Sequence, residues 1–241
     1  MKDRWAGFGF LVRLAAFPAD SRQVSVRVVV YAEGPADSVG EQSWLPPPGE
    51  ALEESHLGPA HHLVRRAIAH GTGVPQNAVR FLSPLRLRTG RHPRGSDLLV
   101  ERSLRRLLTW PGPERRPDLA VVFVDDDGTS GRKQLLESYI EEGISVRVVV
   151  AVPAPEFEGW LIADHGAVAK VLEPIPAQPP AIEALQPGQA KQFLAEWISQ
   201  SRNAVPSEVR SSLANLSSLS VLDGLGAFQA FRRDLLRALT G

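Results

Sequence analysis

The chain has 241 residues with 27 basic and 27 acidic side chains, so its formal net charge at pH 7 is zero, and 43% of its residues are hydrophobic. This composition is ordinary for a soluble globular protein. Because the sequence has no cysteine, disulfides and thiolate metal ligands are excluded, and a metal site must use oxygen or imidazole ligands.

The N-terminal residues 1–19 resemble a weak signal peptide, but Arg13 interrupts the apolar run. No uncharged apolar stretch reaches about 18 residues, the length needed to span a membrane. We therefore expect a cytoplasmic protein that does not associate with membranes.

The charges are unevenly distributed along the chain. Residues 33–54 contain six acids and no Lys or Arg, whereas residues 80–116 contain ten arginines and three acids. This pattern predicts a basic face that attracts polyanions next to an acidic pocket that attracts cations.

The first strong strand is predicted over residues 24–32, and it ends in Glu33, Gly34 and Pro35. Asp37 follows four residues after Glu33. A stiff, proline-rich insert occupies residues 43–49, and residues 57–70 have helical spacing. The adjacent His61 and His62 are interpreted as surface residues rather than as metal ligands.

A short strand over residues 79–82 precedes a basic loop over residues 84–95. We predict that the loop contacts nucleic-acid phosphates through four arginines, with a merely solvated basic surface as the alternative. These arginines are Arg86, Arg88, Arg91 and Arg94. A helix with Ser96 as N-cap is predicted over residues 96–110.

The most informative stretch is the buried strand 119–124, which ends in Asp125, Asp126 and Asp127. Adjacent carboxylates repel one another unless a cation lies between them. In an extended chain Asp125 and Asp127 face the same way and Asp126 faces aside. These residues predict a divalent-metal site. The alternative is a polar loop that caps the next helix through Asp127 or Ser130.

A helix is predicted over residues 132–142 and a further buried strand over residues 144–152. Glu156 and Glu158 follow that strand. Alternating strands and helices predict an α/β fold with a mostly parallel sheet flanked by helices.

Composition divides the chain into four segments. They are an N-terminal extension (1–23), an α/β domain (24–172), a proline-rich linker (173–188) and a small helical C-terminal appendage (189–241). Within the appendage, helices are predicted over residues 189–200, 207–216 and 225–239.

Carboxylates follow three of the predicted strands: Glu33, then Asp125 and Asp127, then Glu156 and Glu158. Since the carboxyl ends of parallel strands meet at one edge of a sheet, these side chains should converge. Oxygen ligands of this kind suit Mg²⁺ or Mn²⁺, which promote phosphodiester cleavage.

The ordered motifs VVVYAEGPAD and VVFVDDDG resemble the TOPRIM domain of topoisomerases, primases and OLD-type nucleases, and APEFEGWLIAD resembles small stand-alone TOPRIM-like proteins of the DUF4276 type. The resemblance covers roughly residues 24–170 and implies a TOPRIM/Rossmann-like fold. It also implies a nuclease that acts on DNA or RNA. Many proteins of the DUF4276 type are found near phage-defence ATPases, so the resemblance also implies a role in phage defence.

The resemblance implies that Glu33 is an acid/base group or metal ligand and that Asp125 and Asp127 bind the metal. Glu158 and Asp164 match the third motif, with Glu158 a further metal ligand. It assigns no role to Asp126 or Glu156.

Two other functions remain open at this point. A non-catalytic interaction subunit could dock on an ATPase partner, since the chain has no Gly-x-x-x-x-Gly-Lys-Ser/Thr loop of its own. The order Asp125-Asp126-Asp127-Gly128-Thr129 also matches the first motif of haloacid-dehalogenase-like phosphatases, with Asp125 as nucleophile. That family's later Gly-Asp-x-x-x-Asp signature is missing from residues 171–241.

Overall fold

The computed structural model describes residues 25–40, 44–140 and 143–241. Its centre is a parallel sheet of four strands in the order β2-β1-β3-β4. The strands are β1 (Val26–Ala32), β2 (Val79–Phe81), β3 (Leu119–Phe123) and β4 (Arg147–Ala151). The predicted α/β class with a parallel sheet is confirmed. The signal-peptide-like residues 1–19 lie outside the described residues.

Helices cover the sheet and continue beyond it. They are α1 (Pro35–Ser38), α2 (Pro59–Thr72), α3 (Ser96–Leu99), α4 (Glu101–Leu108), α5 (Arg132–Ser138), α6 (Phe157–Ile162), α7 (His165–Val171), α8 (Gln189–Gln200), α9 (Pro206–Leu216), α10 (Leu219–Leu222) and α11 (Gly226–Thr240). No helix in the described ranges is long and apolar enough to cross a membrane.

The valine-rich strands are buried on both faces, as expected for a parallel sheet between two helical layers. Alternate residues of β1 belong to different cores: Val28 and Val30 pack with α2, α6 and α11, whereas Val29 and Tyr31 pack with α4 and α5. This two-sided burial explains the nearly continuous apolar runs.

The strand ends are level with one another. Ala32 is paired with Phe123, and Phe123 is paired with Ala151. The residues that follow β1, β3 and β4 therefore leave the sheet at the same edge.

The C-terminal helices share the core of the sheet domain. Phe231 of α11 packs against Phe123 of β3 with ring centroids 5.5 Å apart, and Phe228 packs edge-on against Trp160 of α6 at 4.9 Å. Ile182 and Leu185, inside the predicted linker, are also buried in this core. The segment 173–188 is therefore partly packed against the domain.

Two local predictions are wrong. His61 and His62 are 2% and 6% exposed rather than at the surface, because α2 lies between the sheet and α9. The predicted helix 96–110 is interrupted at Val100, a β-branched residue in extended conformation, so that α3 and α4 are separate, and the N-cap of α3 is Gly95 instead of Ser96.

Candidate functional site

The chain changes direction within the sheet between β1 and β3. From β1 it runs to β2 on one side, and it then returns to form β3 on the other side. Ligands of open α/β sheets bind outside the carboxyl ends of the strands at such a switch point. Glu33 directly follows β1, and Asp125 follows β3 after one intervening residue.

Glu33 and Asp125 are joined directly at this position. The Glu33 amide donates a hydrogen bond to the Phe123 carbonyl at 3.0 Å, and the Asp125 amide donates one to Glu33 Oε2 at 3.0 Å. Asp125 Oδ1 accepts a hydrogen bond from the Phe157 amide at 2.8 Å. The ends of β1 and β3 and the start of α6 thus fix the two carboxylates.

Two further acids, Asp37 of α1 and Glu158 of α6, lie beside this pair, and both are buried. Arg210 of α9 bridges them. Its guanidinium donates to Glu158 Oε1 at 2.9 Å and to Asp37 Oδ1. Within the described ranges, the ion pairs of Asp37 and Glu158 come from this one side chain. Two of the four carboxylates are therefore paired with one guanidinium, and Lys191 adds a weaker attraction on Asp37.

The excess of negative charge perturbs the acids themselves. Burial, followed by the charge of Asp37, raises the pKa of Asp125 to about 8. Burial also raises the pKa of Asp37 to about 6, although Arg210 acts in the opposite direction. Desolvation and like charges disfavour the ionised form of a carboxyl group. A bound cation would relieve both effects.

Asp127 is separated from this cluster. Its side chain is exposed and forms an ion pair with Arg132 at 3.0 Å. The extended conformation ends before this residue, which has a left-handed φ of 46°. The alternation that was expected to align Asp127 with Asp125 is therefore not maintained. Neither Asp127 nor Ser130 caps α5, because Gly131 occupies its N-cap position.

Three other acids lie outside the cluster, and two of them have clear structural roles. Glu156 accepts hydrogen bonds from the Gly188 and Lys191 amides at the start of α8. Asp164 is the N-cap of α7 and also accepts from the Ser218 amide at 2.7 Å. The half-buried Asp126 donates its amide to the Pro153 carbonyl at 2.9 Å.

The four arginines of the basic loop differ in their availability to a ligand. Arg86 donates to the Leu45 carbonyl at 2.9 Å, and Arg91 pairs with Asp97 at 2.8 Å. Arg88 and Arg94 are exposed. The last residue of the loop contacts the acidic cluster: the Gly95 amide donates a hydrogen bond to the Glu33 carbonyl at 2.9 Å.

A cavity of about 510 Å³ adjoins the cluster at the end of β1. Its walls come from β1, from the segment 35–40 after it, from the basic loop and from the start of α9. Most of the lining is apolar, and Arg94 and Arg210 contribute the charged groups. A volume of this size is typical of a small-molecule or cofactor site.

Sequence reasoning did not assign Asp37 and Arg210 to the site. The spacing of Asp37 from Glu33 was visible, but nothing in the sequence indicated the one-turn helix α1 that buries it. Arg210 carried a clearer signal: it lies three and four residues before the buried Leu213 and Ala214, on the apolar face of α9. A charged residue at such a position usually has a buried partner.

Comparisons with family models, with curated proteins and with solved structures found no match for this chain. Its function is therefore inferred from the geometry and chemistry of the site.

The four acids of the cluster are chemically suited to a hard divalent cation, because all of them are carboxylates. In the part of the chain that the structure describes, no three acidic or histidine side chains are already arranged as ligands around one point. Asp37 and Glu158 are held by Arg210 instead. Coordination by these two acids would require them to exchange Arg210 for the metal.

Proposed function

We propose that this protein is a Mg²⁺- or Mn²⁺-dependent TOPRIM-like nuclease that hydrolyses phosphodiester bonds of DNA or RNA. The observation that carries the proposal is the Glu33–Asp125 pair at the switch point, with Asp37 and Glu158 beside it. Burial and the like charges of Asp37, Glu158 and Glu33 raise the pKa of Asp125, which is the electrostatic signature of a site that favours a cation.

A bound divalent ion polarises a phosphoryl oxygen and lowers the pKa of a coordinated water. Asp125 and Glu33 would hold it, with Glu158 and Asp37 as further oxygen ligands and Asp127 at the exposed rim. In the hydrolysis, the water oxygen forms a bond to phosphorus and one phosphorus–oxygen ester bond breaks. A carboxylate oxygen of Glu33 takes the proton of the water, and the leaving oxygen gains a proton from solvent.

The neighbouring charge supports a nucleic acid as the substrate. The exposed Arg88 and Arg94 belong to a loop that is hydrogen-bonded to Glu33 through Gly95. Guanidinium groups on a loop that adjoins the carboxylates can hold a polyanion while the metal acts on one phosphate.

Metal binding is the first requirement of the proposal and can be measured without knowing the substrate. We expect Mn²⁺ titrated into the purified protein to bind in calorimetry, and Asp125→Asn and Glu33→Gln to weaken binding at least tenfold. Glu196→Gln, at an exposed position of α8, is the matched control and should bind as the unmodified protein does. Equal affinity in all four proteins would contradict the assigned metal site.

A further inference from the structure

The cavity beside the carboxylates has a size and shape that metal binding does not explain. A metal ion and its water ligands would lie among the acids, whereas the cavity is lined by Val30, Ala32 and Leu52 and meets the acidic cluster at Arg210. At about 510 Å³ it is far larger than one phosphate group requires.

The lining combines two kinds of surface. Pro84, Pro93 and Leu45 provide apolar walls, whereas Arg94 and Arg210 provide positive charge. Arg210 is 8% exposed, and its Nε has no hydrogen-bond partner among the described residues.

The two histidines of the lining add no charge at pH 7. Burial lowers the pKa of His61 to about 3, and burial together with Arg86 and Arg94 lowers the pKa of His92 below its ordinary value. Since Arg210 is paired with Asp37 and Glu158, the exposed Arg94 is the main positive group of the lining. Such a lining suits a ligand with an apolar part and an anionic part.

We propose that this cavity binds one unpaired nucleotide of the nucleic-acid substrate, with the base against the apolar walls and the adjoining phosphate near Arg94, Arg210 and the carboxylates. The proposal rests on the proposed nuclease function and specifies its substrate as a single strand or a frayed end. A base stacked and paired in a duplex cannot enter a cavity without being extruded. Apolar contacts to a base tolerate any sequence, since every base has a flat π-face.

Binding of small ligands tests the cavity independently of cleavage. In calorimetric titrations with adenosine 5′-monophosphate, ribose 5-phosphate and inorganic phosphate, we expect the nucleotide to bind at least tenfold more tightly than the other two. Equal affinity for ribose 5-phosphate would show that the base does not enter and would overturn the proposal.

Two substitutions fill the cavity from opposite walls. Ala36→Trp acts from α1 and Ser207→Trp from the start of α9; both residues line the cavity. Each should weaken nucleotide binding at least tenfold while Mn²⁺ affinity changes less than twofold. Ala195→Trp, on the exposed face of α8, is the control and should bind normally. Two filling variants with unchanged nucleotide affinity and unchanged thermal unfolding would also overturn the proposal.

Cleavage separates this inference from the proposed function. We expect a single-stranded oligonucleotide to be cut at least tenfold faster than the same sequence in a duplex, and the preference to be lost in Ala36→Trp. Metal-dependent cleavage with equal rates on both substrates would leave the nuclease intact and contradict the cavity assignment. Nucleotide binding without any metal binding would support the cavity and refute the metal site.

Discussion

Asp125 makes the metal-free protein less stable at neutral and basic pH. Its pKa is raised to about 8 in the folded state, mainly by burial, from an ordinary value of 3.8. Between these values Asp125 binds more protons in the folded than in the unfolded state, so its contribution to the free energy of unfolding falls as pH rises from about 4 to about 8.

Asp125→Asn should therefore raise the free energy of unfolding of the metal-free protein at pH 8 by on the order of 2 kcal/mol. The amide oxygen can still accept the hydrogen bond from Phe157. Urea unfolding in EDTA at pH 5 and pH 8 measures the effect. A variant that is no more stable than the unmodified protein at pH 8 would show that the surroundings of Asp125 do not disfavour its charge.

Arg210 and a divalent ion should compete for the same carboxylates. Removing the guanidinium leaves Asp37 and Glu158 without their ion pairs and increases the local negative charge. We expect Arg210→Gln to raise Mn²⁺ affinity severalfold and to lower stability in EDTA by about 3 kcal/mol, the usual cost of leaving buried charges unpaired.

Arg202→Gln, at an exposed position, is the control for Arg210→Gln and should change neither quantity. Calorimetric titration with Mn²⁺ measures the affinities. A weaker affinity in a folded Arg210→Gln protein would mean that Arg210 supports the metal site instead of competing with it.

At the residue scale, the sequence indicated Glu33 and Asp125 because each follows a recognisable buried strand. Strand alternation did not place Asp127, because the chain leaves the extended conformation there: Asp127 and Gly128 both have positive φ, and the Asp127 carboxylate pairs with Arg132. The helix α8 was predicted with its observed bounds, but the contact of its first amides with Glu156 was not. The helix α7, which Asp164 caps, was not predicted as a separate element.

At the element scale, α9 and α11 complete the sheet domain. α9 supplies Arg210 to the acidic cluster and packs on α2, and α11 packs on β4 and α2. The two helices are therefore part of the folded unit that forms the site. Their existence was predictable from helical periodicity, but whether they pack on the sheet or on a partner was not.

Phe231→Ala should lower the free energy of unfolding by about 3 kcal/mol, because it leaves a cavity between Phe123 and Trp160. Leu216→Ala is the matched control, since Leu216 of α9 is 47% exposed and should cost less than about 1 kcal/mol. Chemical denaturation measures both values. Equal losses would contradict the packing of α11 on the sheet.

At the scale of the whole molecule, the formal net charge is zero, but acidic and basic side chains are separated. The acids at the sheet edge form one cluster, and arginines are concentrated in the loop 84–95. The loop adjoins the cluster through the Gly95–Glu33 hydrogen bond. The sequence showed the two charge runs, and strand topology explains their proximity, since β1 lies between β2 and β3.

The double variant Arg88→Gln/Arg94→Gln should weaken binding of single-stranded DNA and RNA and reduce the slope of log affinity against log salt by about 1 to 2. Fluorescence anisotropy at several salt concentrations measures the slope. Arg233→Gln, on the exposed side of α11, is the control. A slope that is unchanged in the double variant would mean that this loop does not contact the phosphates.

Nuclease activity itself is tested by incubating single-stranded DNA and RNA with the purified protein in Mg²⁺ or Mn²⁺, in EDTA, and with Asp125→Asn in parallel. We predict metal-dependent cleavage that EDTA stops and that Asp125→Asn reduces at least a hundredfold. Metal binding without cleavage of any substrate would contradict the nuclease and favour a non-catalytic subunit that acts through an ATPase partner. Cleavage that persists in Asp125→Asn would contradict the assigned site.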